Sequence, residues 1–189
     1  ATEPEKLNIE MQDFLAPTAG RLPSNRSDIY FKELGSESPI LVKLIMQSIY
    51  QSDKRRIKHI GAQQFGMKFL LRGLYAHNGL FYFYTRIDND TNMPFAVDFV
   101  TFKVVDKKVA KRTAMQEQVL QPLRAYHQLL EVKANDNERG VFALEQFSLS
   151  QDKELQVTLY ERGGGRTLSF LLDQEDLLLA QKIDQLKLK

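Results

Sequence analysis

The stretch "KLNIEM" alternates strictly, with Leu7, Ile9 and Met11 on one side and Lys6, Asn8 and Glu10 on the other. A period of two fits a half-buried strand. A lone strand needs a sheet to join, in the same fold, in a neighbouring chain or in a region beyond this one. Around it, Pro4, Pro17, Pro23 and Gly20 interrupt regular structure, so residues 1–35 read as an extended arm ahead of a domain over 36–189. The period then changes. In "SESPILVKLIMQSIYQSDK", Leu41, Ile45 and Ile49 recur at helical spacing, Ser38 stands at the cap and Pro39 suits the first turn. This predicts a helix over about 39–52. Ile40, Val42, Leu44 and Met46 spread its apolar face over most of the circumference, as in a helix largely buried against a sheet or a partner.

From about Phe65 the pattern is that of strands. "FGMKFLLRGLYAHNGLFYFYTRID" is two apolar runs divided by Asn78-Gly79, a pair that favours a tight hairpin with positive φ at both turn residues. Within "LFYFYT", Phe81 and Phe83 point one way and Tyr82 and Tyr84 the other, which predicts phenylalanines in the core and tyrosines beneath the helix. "FAVDFVTFKVV" and "RGVFALEQFSL" supply further strands. "KELQVTLYER" and "RTLSFLLD" oppose each other across Gly163-Gly164-Gly165, so that Leu155, Val157 and Leu159 share a face with Leu168, Phe170 and Leu172. After them, Asp173 caps a second helix over about 174–186, with Glu175 and Asp176 in its first turn and Leu179, Ile183 and Leu186 as its stripe. Short strands with turns between them make a mainly β protein: an immunoglobulin-like antiparallel β-sandwich over about 60–172, with one flanking helix before it and one C-terminal helix.

Composition narrows the chemistry. The 26 basic and 24 acidic residues of the 189 leave a net charge of +2, so any grip on a polyanion must be local. No cysteine is present, which removes disulfides, thiolate metal sites and cysteine nucleophiles. His59, His77 and His127 stand apart from one another and from carboxylates at metal-ligand spacing. "GAQQFGMKF" imitates a phosphate loop, but Met67 and Lys68 replace its lysine and hydroxyl, and strand follows where a helix should. "RGGGRT" reads as a glycine hairpin in preference to an anion nest. With no nucleophile elbow or paired carboxylates in view, the expectation is a non-enzyme without catalytic residues, metal or cofactor.

Two basic clusters remain. "DKRRIKH" carries Lys54, Arg55, Arg56 and Lys58 against Asp53, and "KVVDKKVAKR" carries Lys103, Lys107, Lys108, Lys111 and Arg112 against Asp106. In the second, a strand, a turn and an extended restart splay the charges to different sides, which favours a solvated edge over a nucleic-acid face. Lys107, Lys108, Lys111 and Arg112, together with Leu7, Ile9 and Met11, are the candidate partner contacts.

"EPEKLNIEM", "DIYFKELGSESPILVKLIMQSIYQSDKRRIKHIG", "GLYAHNGLFYFYTRIDN", "FAVDFVTFKVVDKKVAKRTAMQEQVLQPLRAY" and "GGRTLSFLLDQEDL" together resemble the TraN family of Bacteroides-type conjugative transposons. The likeness runs from about Glu3 to the C-terminal helix. It implies the C-terminal portion of a non-enzymatic, structural subunit of a type IV secretion-like transfer apparatus. A secretory signal and a further β-rich region would come before the residues seen here. It also implies a periplasmic, outer-membrane-associated location, other conjugation proteins as partners, and homo-oligomers formed through the arm. Two rival expectations are a DNA-contacting subunit using the basic clusters, and a carbohydrate-binding or adhesion sandwich with Tyr82 and Tyr84 lining a groove. Direct nucleic-acid binding and a transmembrane segment are both disfavoured.

Overall fold

Helix α1 (Pro39–Ser52) occupies the span its periodicity predicts. In the computed structural model, which describes residues 37–107 and 116–183, Ser38 precedes it with extended backbone and its carbonyl accepts the amide of Val42 at 3.0 Å. Asp53 ends it in the left-handed region at φ 43°, a conformation that aspartate tolerates better than most residues. The buried stripe is Val42, Ile45, Met46 and Ile49. It is narrower than the sequence suggests, because Ile40 and Leu44 face outward with 73% and 47% exposure. One side of the helix packs and the other does not.

Eleven strands follow among the described residues: β1 (Gly61–Gln64), β2 (Met67–His77), β3 (Leu80–Asn89), β4 (Phe95–Asp106), β5 (Glu117–Leu120), β6 (Arg124–Tyr126), β7 (Glu131–Val132), β8 (Asp136–Glu145), β9 (Lys153–Glu161), β10 (Thr167–Leu172) and, beyond the short helix α2 (Gln174–Leu178), β11 (Gln181–Lys182). They form two sheets. One runs β1-β2-β3-β8-β6 with β11 beside β2, and the other runs β10-β9-β4-β5 with β7 beside β4. Every pairing is antiparallel except that of β11 with β2. The mainly β sandwich is therefore present.

Alternation along β3 builds both layers at once. Phe81 and Phe83 enter the core between the sheets, whereas Tyr82 and Tyr84 lie under α1 with Val42, Ile45, Met46 and Ile49. Ring pairs join the sheets: Phe83 with Phe102 at 5.3 Å, Phe102 with Phe142 at 5.5 Å and Phe69 with Phe170 at 4.9 Å. The β2–β3 turn has φ of 41° at Asn78 and 78° at Gly79, as the Asn-Gly pair predicts. Across the other hairpin, Leu159, Val157 and Leu155 stand opposite Leu168, Phe170 and Leu172.

The C-terminal segment corrects the sequence reading. Its cap is as expected: Asp173 accepts the amide of Asp176 and donates its own amide to the Asp176 carboxylate, each at 3.0 Å. The helix, however, ends at Leu178, well short of 186, and the chain becomes extended. The reason lies in β2. Its partner β1 covers only Met67–Leu70, leaving the backbone near Tyr75 and Ala76 to be paired on that edge. Gln181 and Lys182 pair there in parallel and deliver Ile183, 2% exposed, into the cluster under α1. Burial of one isoleucine, worth ~1.5–3 kcal/mol, outweighs a few residues of helix propensity.

Candidate functional site

The predicted contact residues fall into two groups. Leu7, Ile9, Met11, Lys108, Lys111 and Arg112 lie outside the described residues. Lys107 follows β4, half-buried, with its amide donating to the Asp152 carbonyl at 2.8 Å. Around it the described charges are engaged in pairs. Lys103 donates to Glu117 at 3.1 Å, which raises its pKa, and buried Asp106 accepts from Lys153 at 2.8 Å and from the Gln116 amide at 3.0 Å. These pairs tie β4 to β5 and β9. They are not arranged as an open cationic surface.

The first basic cluster is a tight, exposed loop after α1. Arg55 donates to the carbonyls of Ile57 and Lys58 at 3.2 and 3.1 Å, curling the loop on itself. The amides of Arg56 and Ile57 both donate to the Arg72 carbonyl, at 2.7 and 3.0 Å, where β2 bulges between Leu71 and Gly73. That bulge turns the Arg72 side chain toward Asp53, 3.2 Å from its carboxylate.

Asp53 is the centre of a polar clamp that sequence reasoning missed, having counted it only as one negative charge in a basic run. Its carboxylate accepts from the Tyr84 hydroxyl at 2.5 Å and from Arg139 at 2.8 Å. Arg139 also donates to the Tyr84 oxygen at 3.1 Å and to the Tyr50 carbonyl at 3.3 Å, and lies 4.4 Å over the Tyr50 ring. His127 stacks on Tyr50 at 4.9 Å. Burial opposes ionisation of Asp53, but the Tyr84 hydroxyl and the Arg139 and Arg72 guanidinium groups hold its pKa below the ordinary value. Burial and the bond to Asp53 push the Tyr84 hydroxyl up to about 12. The clamp bolts the end of α1 to β2, β3 and β8, with the Asp53 carboxylate partly exposed at its outer side. No local signal marked it: of the tyrosines beneath α1, Tyr84 finds partners for its hydroxyl, whereas the buried hydroxyls of Tyr75 and Tyr82 have none among the described residues.

The other suspected sites resolve similarly. Residues 61–66 form β1 and a turn with positive φ at Phe65 and Gly66, not a phosphate loop. In the glycine hairpin, Arg166 binds Glu161 and donates to the Pro94 carbonyl at 2.8 Å, while Arg162, exposed, donates to the Val97 carbonyl at 3.1 Å. Tyr82 and Tyr84 are fully buried and line no groove, which removes the feature on which the carbohydrate reading stood. Among the described residues, no three histidines or carboxylates gather as a metal site, and no helix is long and apolar enough to cross a membrane.

A recess of about 770 Å³ does open at the mouth of the sandwich, beside the β2–β3 turn. Ala76, Phe81, Phe147, Leu149, Leu177 and Ala180 line it, with Glu145 and Lys182 at its rim. Leu178, 75% exposed, stands over it. Among the described residues, no histidine or aspartate lines this recess.

The fold and its clamps thus define a helix-backed β-sandwich with an apolar mouth and exposed strand edges. The chain belongs to the family described as Domain of unknown function (DUF4138), whose model matches residues 39–182, from the first turn of α1 to the end of β11. No curated protein matches it in sequence.

Proposed function

We propose that this domain is a non-enzymatic structural subunit of a conjugative, type IV secretion-like transfer apparatus, working through protein–protein contacts in the cell envelope. The observation that carries the reading is the resemblance to the TraN family along an ordered series of stretches from Glu3 to the C-terminal region. The site geometry is compatible with it: the charged groups at Asp53, Asp106 and Glu161 serve the scaffold, and the open features are an apolar recess and strand edges. In the same reading the domain is periplasmic and associates with the outer membrane through other subunits.

Strand addition is the proposed means of assembly. The alternating segment Leu7–Met11 supplies a strand, and β5, an exposed strand at the end of its sheet with Val119 51% exposed, supplies an edge. Deleting residues 1–30 then reduces oligomer size or stability. Affinity purification of the native protein from donor cells, with cross-link mapping, tests the whole reading. Other products of its transfer operon are expected to co-purify through the arm and the sandwich edges, and recovery without any transfer protein overturns it. A DNA titration at about 50 mM salt is expected to show no binding, whereas affinity falling with salt at about −0.9 per phosphate contacted favours a DNA-contacting subunit.

A further inference from the structure

Two leucines stand side by side in solvent where the short helix α2 ends: Leu178 and Leu179 are each 75% exposed. Of the two, only Leu178 borders the recess at the sandwich mouth, which is lined by Phe81, Phe147, Leu149 and Leu177. An apolar projection thus stands directly beside an apolar hollow. Leu177, one residue earlier on the same helix, is buried and belongs to the hollow, so the backbone of α2 fixes one against the other. Left in water, both forfeit the gain that burial of apolar surface brings.

The rim carries matching charges. Glu145, at the end of β8, and Lys182, in β11, are the charged residues among those that line the recess, one of each sign. Both are exposed, and neither side chain has a hydrogen bond or ion pair among the described residues. A two-fold interface sets one patch against itself, so that residue i of one copy meets residue j of the other and j meets i. Such a patch must carry its own complement: a projection for each hollow, and a charge of each sign. The mouth has these in one place. A partner of a single charge would leave one rim group facing its like.

We infer that the sandwich mouth is a self-association surface, at which two copies of this chain meet about a two-fold axis. Leu178 of each copy enters the recess of the other, and Glu145 of each meets Lys182 of the other. This goes beyond the assembly reading and uses neither the arm nor β5, so each can fail while the other stands.

The test measures the mass of the full chain by light scattering over a range of concentrations, at about 50 mM salt so that the rim charges are weakly screened. The parent is expected to associate as concentration rises. Glu145→Lys sets lysine against lysine across the axis, and Lys182→Glu sets glutamate against glutamate. Each variant alone is therefore expected to weaken association about ten-fold or more. An equimolar mixture of the two is expected to restore it, because each copy then brings the sign that the other needs. A pair made within one chain would not respond to mixing. Leu178→Ala is expected to weaken association as well, whereas Leu179→Ala, equally exposed but outside the recess, leaves it unchanged. A parent that does not associate, single charge variants that associate like the parent, or a mixture no stronger than its components overturns the proposal. So does an absent loss at Leu178, or an equal loss at Leu179.

Discussion

The guanidinium of Arg139, on β8, reaches the carboxylate of Asp53, one residue past the end of α1, at 2.8 Å. These two residues, 86 positions apart by their numbers, hold the helix end against the sheet with Tyr84 between them. Arg139→Ala removes the bonds to Asp53, Tyr84 and the Tyr50 carbonyl together. With Asp53 partly exposed, the loss is expected to be about 1–2 kcal/mol, read as a lower urea midpoint with unchanged slope. Arg139→Lys recovers only part of it, because an ammonium cannot reproduce the planar fork or the stacking on Tyr50.

Stability should depend on pH at both extremes. Arg166 hydrogen bonds hold Glu161 below its ordinary pKa, and the clamp does the same for Asp53 against the opposing effect of burial. The unfolded chain therefore binds protons more readily. This part of the stability is complete above the ordinary carboxylate values of 3.8 and 4.5 and is lost as pH falls through the lower folded ones. Asp53→Asn should be less stable than the parent at neutral pH, and the gap should close in acid. A gap that is constant from pH 7 to 2 contradicts the clamp.

The alkaline limb has the opposite sign. Tyr84 titrates near 10.0 when unfolded and about 12 when folded, so its contribution is present below the first value and disappears as pH climbs to the second. Burial raises Tyr75 and Tyr82 as well, so the three tyrosines share this limb. Tyr84→Phe should flatten the fall in stability between these values without abolishing it, as measured by denaturation at a series of pH values.

The fate of the C-terminal segment is tested by two truncations. Ile183→Ala should cost about 2–4 kcal/mol, since it opens a cavity under α1. Leu179→Ala, at a position 75% exposed, should change stability by no more than about 0.5 kcal/mol. Equal losses at both positions would restore the continuous amphipathic helix.

Turn glycines give a contrasting pair. Gly79 has φ 78° and open space around its missing Cβ, so Gly79→Ala meets no clash but incurs backbone strain of about 1 kcal/mol. Gly165 has the same open space without a positive φ, and Gly165→Ala should be neutral or slightly stabilising. Thermal unfolding of the two variants isolates the backbone strain, since neither added Cβ is crowded.

Local pattern carried most of the architecture. Helix α1, the Asn78-Gly79 hairpin and the pairing of β9 with β10 were legible because neighbours in sequence decide each of them. The two-faced use of β3 was legible because a period of two must present its phenylalanines and tyrosines to different layers. What escaped was decided at a distance. The end of α2 depends on an unpaired stretch of β2 about a hundred residues earlier, and no local rule contains it. The short strands β1, β6, β7 and β11 lack alternation long enough to stand out. The Asp53–Arg139 clamp was invisible because its members look like ordinary surface charges until the fold brings them to one tyrosine. The pairing of Lys103 with Glu117 was hidden for the same reason, since it arises only after β4 pairs with β5.

The parallel seam between β11 and β2 has a bearing on how the molecule is made. A ribosome or a translocation pore releases α1 long before Ile183, yet the floor on which α1 rests is incomplete until that isoleucine is in place. Among the described residues, the first helix must wait for the last strand, so the outer layer is sealed only after residues 39–183 have emerged.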